Sequence, residues 1–283
     1  VPEDNVLLLE NADTVYRIPL IIANTKIEPM LSDFIGVDKK PDLSSWENLI
    51  KLRSVHPEKT VTIGLVAKYI DNEDTYISVL EALKAAAWHE KVGLKIKWID
   101  AEKATKKDFK QVDGLLLPGG FGPRGVEGKI SAASYALENN VPYLGLCLGL
   151  QTAVIAAARK AGLKDANSTE FDLSTKHDVV YIMDGQQGKE STGGTLRLGD
   201  YPAQLTKNSK VYNLYGATNV IERHRHRYEV NQKFLPEIEA GGLRICGLSP
   251  DKKLVEYIEA SENNFFVATQ AHPEFRSRPT RPH

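Results

Sequence analysis

One cysteine lies where the sequence could place a nucleophile. A predicted strand, Val141–Leu146, runs into Gly145-Leu-Cys-Leu-Gly149, and a helix is predicted to begin directly afterwards. This strand–turn–helix pattern is that of a nucleophile elbow, with Cys147 in the position that serine usually holds. The glycines tolerate the tight turn, the helix N-terminus favours the reactive thiolate, and the amide of Leu148 could bind an oxyanion. A buried structural cysteine is the alternative interpretation, because free cysteines are among the most buried residues.

A histidine and a glutamate near the end of the chain could supply the general base for such a nucleophile and the group that orients this base. His272 follows the strand predicted over Phe265–Gln270, and Glu274 comes two residues later. Residues two apart in extended backbone face the same side, so Glu274 could orient the imidazole while His272 acts as the base. An exposed turn is the alternative for a His-Pro-Glu tripeptide. The other cysteine, Cys246, lies in an alternating strand without such partners, which predicts a core position.

A glycine-rich loop could supply a second oxyanion donor. In Leu115-Leu-Leu-Pro-Gly-Gly-Phe-Gly-Pro-Arg-Gly125, Gly120 would offer its amide while Phe121 walls the pocket. The glycines also match the dinucleotide-binding spacing G-x-G-x-x-G. That interpretation is disfavoured because Pro123 has no amide for a pyrophosphate and no acidic residue closes the neighbouring strand. A Walker A loop is excluded because Ile130 replaces the required serine or threonine.

The run Glu222-Arg-His-Arg-His-Arg-Tyr-Glu229 alternates arginine and histidine. In a strand, one face would carry the arginines and the other the histidines; these are Arg223, Arg225 and Arg227, and His224 and His226. Three interpretations stay open: a solvated edge strand, an arginine fork for a substrate carboxylate, and a zinc site without an evident third ligand. Nucleic-acid binding is disfavoured because acidic residues flank the run.

These residues need a scaffold, and the patterning from Val61 onward indicates an α/β fold. Short apolar strands alternate with helices; the strands are Val61–Val66, Leu94–Ile99, Val112–Leu117 and Val141–Leu146, and the helices are Asp74–Lys91, Ile130–Glu138 and an alanine-rich one ending near Lys160. This alternation predicts a mainly parallel central sheet flanked by helices. The closer spacing after Asn167 predicts added antiparallel strands, namely Val179–Met183, Thr195–Leu198, Arg244–Leu248, Leu254–Glu259 and Phe265–Gln270.

The first part of the chain is organised differently. Short apolar pieces are separated by turn residues, and a helix is predicted from Ser44, as its N-cap, to about Leu52. The segment His56-Pro-Glu-Lys59 then indicates a linker. We therefore expect a boundary near residue 58, followed by one large domain over residues 59–283.

Composition narrows the classes of function. Lys and Arg number 36 against 37 Asp and Glu, a formal charge of −1, and 42% of the residues are hydrophobic. A neutral chain lacks the basic excess that nucleic-acid binding requires. No apolar run approaches the roughly 20 residues of a membrane span. Because two cysteines cannot build a disulfide framework, we expect a reducing compartment, the cytoplasm.

Together these motifs resemble the class I, triad-type glutamine amidotransferases, and among them the glutaminase domains of CTP synthases. The class-level motifs are Pro118-Gly-Gly-Phe-Gly122, Gly145-Leu-Cys-Leu-Gly-Leu-Gln151 and His272-Pro-Glu274. The more specific ones are Arg124-Gly-Val-Glu-Gly128, Ala166-Asn-Ser-Thr-Glu-Phe171, Gly194-Thr-Leu-Arg-Leu-Gly199 and Arg223-His-Arg-His-Arg-Tyr-Glu-Val-Asn231. The similarity covers about Thr14 to His283 and implies a flavodoxin-like α/β fold with added antiparallel strands.

The resemblance implies hydrolysis of L-glutamine to glutamate and ammonia through a γ-glutamyl thioester. Cys147 would be the nucleophile, His272 the base and Glu274 the residue that orients it. By the family pattern the oxyanion is held at Gly120 and Leu148, beside Phe121, and the glutamine-binding positions match Gln151, Glu170 and Arg227. An acid suits the ammonium of a free amino acid, and an arginine suits its carboxylate. Arg197 falls in a segment that the family associates with the activator GTP.

The resemblance also implies partners. Residues 1–58 would be the tail of a missing synthase domain with its linker, and residues 59–283 an amidotransferase domain without its closing helix. In the family the ammonia aminates UTP to CTP in the synthase domain, which uses ATP and Mg, with GTP as effector at the domain interface of a homo-oligomer. No cofactor or metal is expected in the amidotransferase domain. Pro123 and Ala271 replace family aromatic residues without touching a group of the mechanism.

Two other functions stay open on the same residues. A γ-glutamyl hydrolase or a cysteine peptidase could share the scaffold, although Glu170 with Arg227 argues for a free amino acid. A weakly active regulatory or assembly module is the second alternative.

Overall fold

The computed structural model describes residue 3 and residues 6–37, 39–182 and 197–283. Met183, the residues Thr195 and Leu196 of a predicted strand, and the first part of the Gly194–Gly199 motif therefore lie outside the described residues. The chain divides into two compact units. Unit 1 comprises Val1–Thr60, Leu80–Gly93 and Ser277–His283, and unit 2 comprises Val61–Val79 and Leu94–Arg276.

Unit 1 begins with three helices, α1 (Ile18–Ala23), α2 (Ile27–Ile35) and α3 (Ser44–Arg53). Helix α3 confirms the helix predicted here but corrects its cap. Ser44 is the first helical residue, and the carboxylate of Asp42 accepts its amide at 3.0 Å. An aspartate two residues upstream therefore does what we expected of the serine.

Nine strands form one sheet and three form a second among the described residues. In chain order the strands are β1 (Thr60–Ala67), β2 (Gly93–Asp100), β3 (Gly114–Leu117), β4 (Tyr143–Leu146), β5 (Asn167–Ser168), β6 (Asp178–Ile182), β7 (Arg197–Leu205), β8 (Asn219–His226), β9 (Tyr228–Val230), β10 (Arg244–Leu248), β11 (Val255–Glu259) and β12 (Phe266–Thr269). The large sheet has the order β2-β1-β3-β4-β12-β11-β10-β7-β8, and the small one β5-β6-β9.

The sheet joins a parallel block to an antiparallel extension. Strands β1, β3, β4 and β12 are parallel neighbours, whereas β11, β10, β7 and β8 continue from β12 in antiparallel pairs. The predicted fold class is thereby confirmed. Strand β12 makes one pairing that was not predicted. It is antiparallel to β11, as expected, but it is also parallel to β4 and therefore completes the parallel block.

Further helices lie between the strands: α4 (Ile77–His89), α5 (Lys106–Phe109), α6 (Val126–Asn139), α7 (Leu148–Lys160), α8 (Lys210–Tyr215) and α9 (Leu235–Ala240). Helix α7 is central, since every residue from Leu148 to Ala158 is buried. Its small alanines allow neighbouring elements to approach closely from all sides. The buried rings of Tyr143 and Phe266 stack with centroids 4.2 Å apart, which ties β4 to β12 in the core.

Among the described residues, no helix combines the length and the apolarity that a bilayer crossing requires.

Candidate active site

The turn between β4 and α7 holds Cys147 in a rare backbone conformation. Its φ is 51° and its ψ is −101°, in a region that residues with a side chain seldom occupy. The flanking glycines make this turn possible. A Cβ on Gly145 would lie 2.8 Å from the carbonyl carbon of Gly149, and a Cβ on Gly149 would lie 2.3 Å from the carbonyl oxygen of Leu117. The buried Cys147 therefore stands at the N-terminus of α7, where the helix dipole favours a negative sulfur.

His272 reaches the same edge of the sheet because β12 lies beside β4. Their register pairs Thr269 with Leu146, so the two chain segments leave the sheet at one level. A short 3-10 turn, Pro273–Phe275, then brings Glu274 Oε1 to 2.8 Å from His272 Nδ1. We expected the pair to form through extended backbone, but the turn achieves it.

The environment of His272 favours its charged form. Burial lowers the pKa of the imidazole, but the charge of the Cys147 sulfur, a hydrogen bond with that sulfur and the Glu274 carboxylate outweigh this and raise it to about 10. The ring also stacks on Phe275, with centroids 5.2 Å apart. The site can thus hold a thiolate–imidazolium pair, the reactive form of a cysteine nucleophile.

The glycine-rich loop packs between the histidine and the elbow. A Cβ on Gly119 would lie 2.7 Å from Cε1 of His272, and one on Gly120 would lie 3.3 Å from Cδ2 of Leu148. Gly120 and Leu148, the two expected oxyanion donors, are therefore brought together. Phe121 is 70% exposed. Lys68 donates to its carbonyl at 2.8 Å and places Nζ 5.1 Å from the centre of its ring.

The two residues expected to bind the ends of glutamine also approach each other. Glu170 Oε1 accepts the amide of Gly122 at 2.7 Å. Burial raises the pKa of Glu170, while that hydrogen bond and the positive charges of Arg227 and Lys68 oppose the rise. A carboxylate and a guanidinium within electrostatic reach beside the glycine-rich loop provide opposite charges for a zwitterionic ligand.

Gln151 lies in the first turn of α7, where it is buried and already engaged. Its side-chain nitrogen donates to the carbonyl of Tyr228 at 3.2 Å and to Oε1 of Gln270 at 3.3 Å. Gln270 in turn donates to the Cys147 sulfur at 3.7 Å. The structure thus connects the candidate nucleophile to the segment that follows β8 through two buried amides.

Comparison with known proteins decides the family. The model of the family described as Glutamine amidotransferase class-I matches residues 70–283, most of the chain. The chain belongs to the class I glutamine amidotransferases.

Two relatives of this amidotransferase show how much of a longer protein it matches. It is 45% identical to the CTP synthase of Methanocaldococcus jannaschii, with all of this chain and 54% of that protein covered. It is 47% identical to the CTP synthase of Caldanaerobacter subterraneus, with 98% of this chain and 53% of that protein covered. The chain therefore spans about half the length of these curated relatives.

A solved structure supports the same placement. The glutaminase domain of Trypanosoma brucei CTPS, solved with bound acivicin, is similar with a TM-score of 0.74 and 38% identity. The similarity covers 78% of this chain and 89% of that one. The glutamine amidotransferase fold is thus shared at high sequence identity with a domain of a CTP synthase.

Arg197 of the amidotransferase lies in a buried cluster of charged and imidazole groups. It pairs with Glu256 and, at 3.4 Å, with Glu229, and all three side chains are almost fully buried. Burial raises the pKa of Glu229 to about 8, against the opposing charge of Arg197. The guanidinium expected to respond to GTP is therefore satisfied by internal carboxylates.

His224 and His226 face this cluster and hydrogen-bond to each other, with Nδ1 of the first 2.9 Å from Nε2 of the second. Burial lowers the pKa of His224 to about 3, and burial also lowers that of His226. Two neutral imidazoles occupied with each other are poorly arranged for zinc. In the described part of the chain, no group of three His, Cys, Asp or Glu could hold a metal ion.

The arginines of this run separate from one another, contrary to expectation. Strand β8 is the sheet edge, with Arg223 and Arg225 exposed and His224 and His226 buried, but it ends at His226. Arg227 lies in a bend and is half-buried. The bend, which a uniform alternation could not indicate, takes Arg227 out of the exposed strand face of Arg223 and Arg225, and its charge acts on Glu170.

Sequence reasoning missed three residues of the site: Gln270, Lys68 and Lys129. Gln270 carries a signal, because it is a polar residue at the end of a predicted apolar strand, two positions before a candidate histidine; its complete burial is seen only in the structure. Lys68 directly follows β1 and Lys129 lies in α6, far from the other site residues in sequence, and only the folded chain places them at this edge.

Proposed function

We propose that this chain is the glutaminase half of a CTP synthase and hydrolyses L-glutamine. The observation that carries the proposal is the arrangement of Cys147, on a turn with a positive φ, with the His272–Glu274 pair. The opposite charges of Glu170 and Arg227 nearby favour a free amino acid as the substrate.

In the first half of the reaction, the Cys147 thiolate attacks the side-chain amide carbon of glutamine. A C–S bond forms, and the carbonyl oxygen becomes an oxyanion held by the amides of Gly120 and Leu148, each worth roughly 3–4 kcal/mol in other enzymes. The imidazolium of His272 donates its proton to the amide nitrogen as the C–N bond breaks. Ammonia leaves, and a γ-glutamyl thioester remains.

In the second half, His272 is neutral and takes a proton from a water molecule as that water attacks the thioester. The C–S bond breaks, glutamate is released, and the thiolate and imidazolium are restored. Glu274 keeps Nδ1–H oriented through both halves, so that Nε2 faces the sulfur and the substrate.

Recognition would use both ends of the amino acid. The carboxylate of Glu170 suits the α-ammonium of glutamine, and the guanidinium of Arg227 suits its α-carboxylate. Gln151 and Phe121 would complete the contact, Phe121 by folding over the bound substrate from its exposed position.

The partners of the reaction follow from the relatives, whose length exceeds that of this chain. We propose that residues 1–58 belong with a synthase domain, that residues 59–283 are the amidotransferase domain, and that the ammonia serves amination of UTP to CTP. GTP as an effector acting near Arg197, a homo-oligomeric whole protein and a cytoplasmic location complete the proposal. The two free, buried cysteines are consistent with a reducing compartment.

Covalent labelling tests the proposal. A diazo-ketone analogue of glutamine should add once to the chain, on Cys147, and glutamine should block the addition better than a γ-glutamyl peptide. Intact-mass spectrometry with peptide mapping measures this. Labelling blocked equally by γ-glutamyl peptides would favour a γ-glutamyl hydrolase or peptidase instead.

Two cysteine variants make the test specific. Cys147→Ala should abolish both labelling and ammonia release. Cys246→Ala should leave both intact, because burial, with Glu259 nearby, raises the pKa of the Cys246 thiol and keeps it unreactive. Equal loss in both variants, with folding preserved, would show that Cys147 is not the nucleophile.

A further inference from the structure

A lysine to which the proposed mechanism gives no role is buried directly behind the glycine-rich loop, at Gly120. Lys129 lies in the first turn of α6, its side chain is 3% exposed, and its ammonium donates to the carbonyl of Pro118 at 2.7 Å. Lysine is seldom buried to this extent unless it is paired with an acid. Among the described residues no carboxylate forms an ion pair with Lys129, so its burial needs another explanation.

The position of the Lys129 ammonium relative to the glycine-rich loop explains this burial. Nζ lies 3.8 Å from where a Cβ on Gly120 would be, beside Cδ2 of Leu148. On the preceding residue, Gly119, an added Cβ would collide with the His272 ring. The loop is thus held between the imidazole and the lysine, and the Pro118 carbonyl is fixed by a charge-assisted hydrogen bond.

The charges around Lys129 indicate an electrostatic interaction with the Cys147 sulfur. Burial lowers the pKa of Lys129 to about 7, the negative charge of Cys147 opposes this, and the positive charge of Lys68 adds to it. Because electrostatic interactions are reciprocal, a protonated Lys129 stabilises negative charge that forms at Cys147 or at the adjacent oxyanion.

We propose that Lys129 is a positioning residue of the glutaminase site, which fixes the Pro118–Gly120 loop and places a buried positive charge behind the oxyanion. The inference rests on the proposed glutaminase function. It assigns the lysine to formation of the thioester rather than to binding of glutamine, since Lys129 lies behind the loop and not beside Glu170 or Arg227.

Inactivation kinetics with the diazo-ketone analogue test this on the 283-residue chain. Lys129→Met keeps the length and apolar volume of the side chain but removes the charge and the donor. Its maximal inactivation rate should fall by about tenfold, less than the roughly 10²–10³ typical of losing an oxyanion donor itself. The concentration for half-maximal rate should stay within about twofold of wild type. Lys164→Met, at an exposed lysine, controls for the loss of one charge.

A pH series separates charge from packing. The ratio of the wild-type rate to the Lys129→Met rate should be largest below pH 7 and shrink above it, because Lys129 loses its charge as pH passes its pKa of about 7. Lys129→Arg, which stays charged, should keep a rate above that of Lys129→Met at high pH. If Lys129→Met does not fold, judged by near-UV circular dichroism, Lys129→Gln takes its place, since it retains a donor for Pro118 without the charge.

The outcomes are distinct. Absence of any adduct in folded wild type would overturn the glutaminase function and this inference with it. Normal labelling of wild type with an unchanged rate in the Lys129 variants, or with a ratio independent of pH, would overturn the inference alone. A change confined to the half-maximal concentration would also overturn it, because Lys129 would then contribute to binding.

Discussion

The two cysteines of this chain differ in what surrounds the sulfur rather than in how deeply it lies, since both are buried. Cys147 stands at a helix N-terminus beside an imidazole whose pKa is raised to about 10. Cys246 lies in a strand, where burial and the Glu259 carboxylate raise the pKa of its thiol. Reactivity therefore follows the local charges, which is why burial alone did not distinguish a nucleophile from a core residue.

Arg227 is expected to govern the affinity for glutamine. Arg227→Ala removes the partner of the substrate carboxylate, so KM should rise by about tenfold or more while kcat falls less. Steady-state ammonia release measures both constants. Arg225→Ala, at an exposed arginine of the same run, is the matched control. An unchanged KM in Arg227→Ala would place the carboxylate site elsewhere.

Glu274 is expected to set the protonation of His272. Glu274→Gln removes one of the charges that hold the pKa of His272 near 10, so that pKa should fall. An NMR titration of the His272 ring measures the change, with Glu262→Gln at an exposed glutamate as the control. A pKa that stays near 10 would assign the whole effect to Cys147.

The same shift makes stability depend on pH. Because folding raises the pKa of His272 above its usual 6.5, the bound proton stabilises the folded state. This contribution is complete below about pH 6.5 and is lost as pH rises through about 10. In Glu274→Gln the contribution should be smaller and its loss should be complete at a lower pH, which urea unfolding across this range would reveal.

At the scale of elements, the elbow depends on the absence of a side chain at Gly149. An added Cβ would lie 2.3 Å from the Leu117 carbonyl oxygen, and neither backbone can move without breaking the sheet or the helix. Gly149→Ala should therefore lower the free energy of unfolding by about 3 kcal/mol or more. Urea denaturation measures this value.

Gly114 provides the control for that variant. It lies in β3, next in the sheet to β4, and a Cβ there would meet its neighbours at 3.4 Å, an ordinary contact. Gly114→Ala should change the free energy of unfolding by less than about 1 kcal/mol. Similar losses in the two variants would mean that the elbow is not unusually tight.

The elements that could be predicted from sequence are those whose burial is uniform along the chain. Strand β3 is buried throughout, β4 is buried at three of its four residues, and α7 is buried from Leu148 to Ala158, so all three appear in the sequence as largely apolar runs. The bend at Arg227 could not be predicted, because the arginine–histidine alternation continues through it. The proposed role of Lys129 could not be predicted either, because no feature of the neighbouring sequence distinguishes a buried lysine from an exposed one. The triad itself could be proposed because its motifs lie at strand ends.

At the scale of the whole molecule, the chain matches about half of the length of its CTP synthase relatives. If the ammonia serves a synthase domain, adding that domain should raise glutamine turnover by roughly fivefold or more, as coupling between sites commonly does. Ammonia release with and without the added domain measures this. Cys147→Ala with the same domain should release none. Unchanged turnover would indicate an autonomous glutaminase, and very low turnover in both conditions a regulatory module.

The parallel pairing of β4 with β12 has a consequence for how this protein can change over evolution. Cys147 and Gln270, which lies two residues before the candidate base His272, are 123 positions apart, yet their segments leave adjacent strands in fixed register. The spacing of nucleophile and base is therefore set by sheet hydrogen bonds, not by the intervening chain. Insertions or deletions between β5 and β11 can remodel regulation or partner binding while the catalytic distance stays constant.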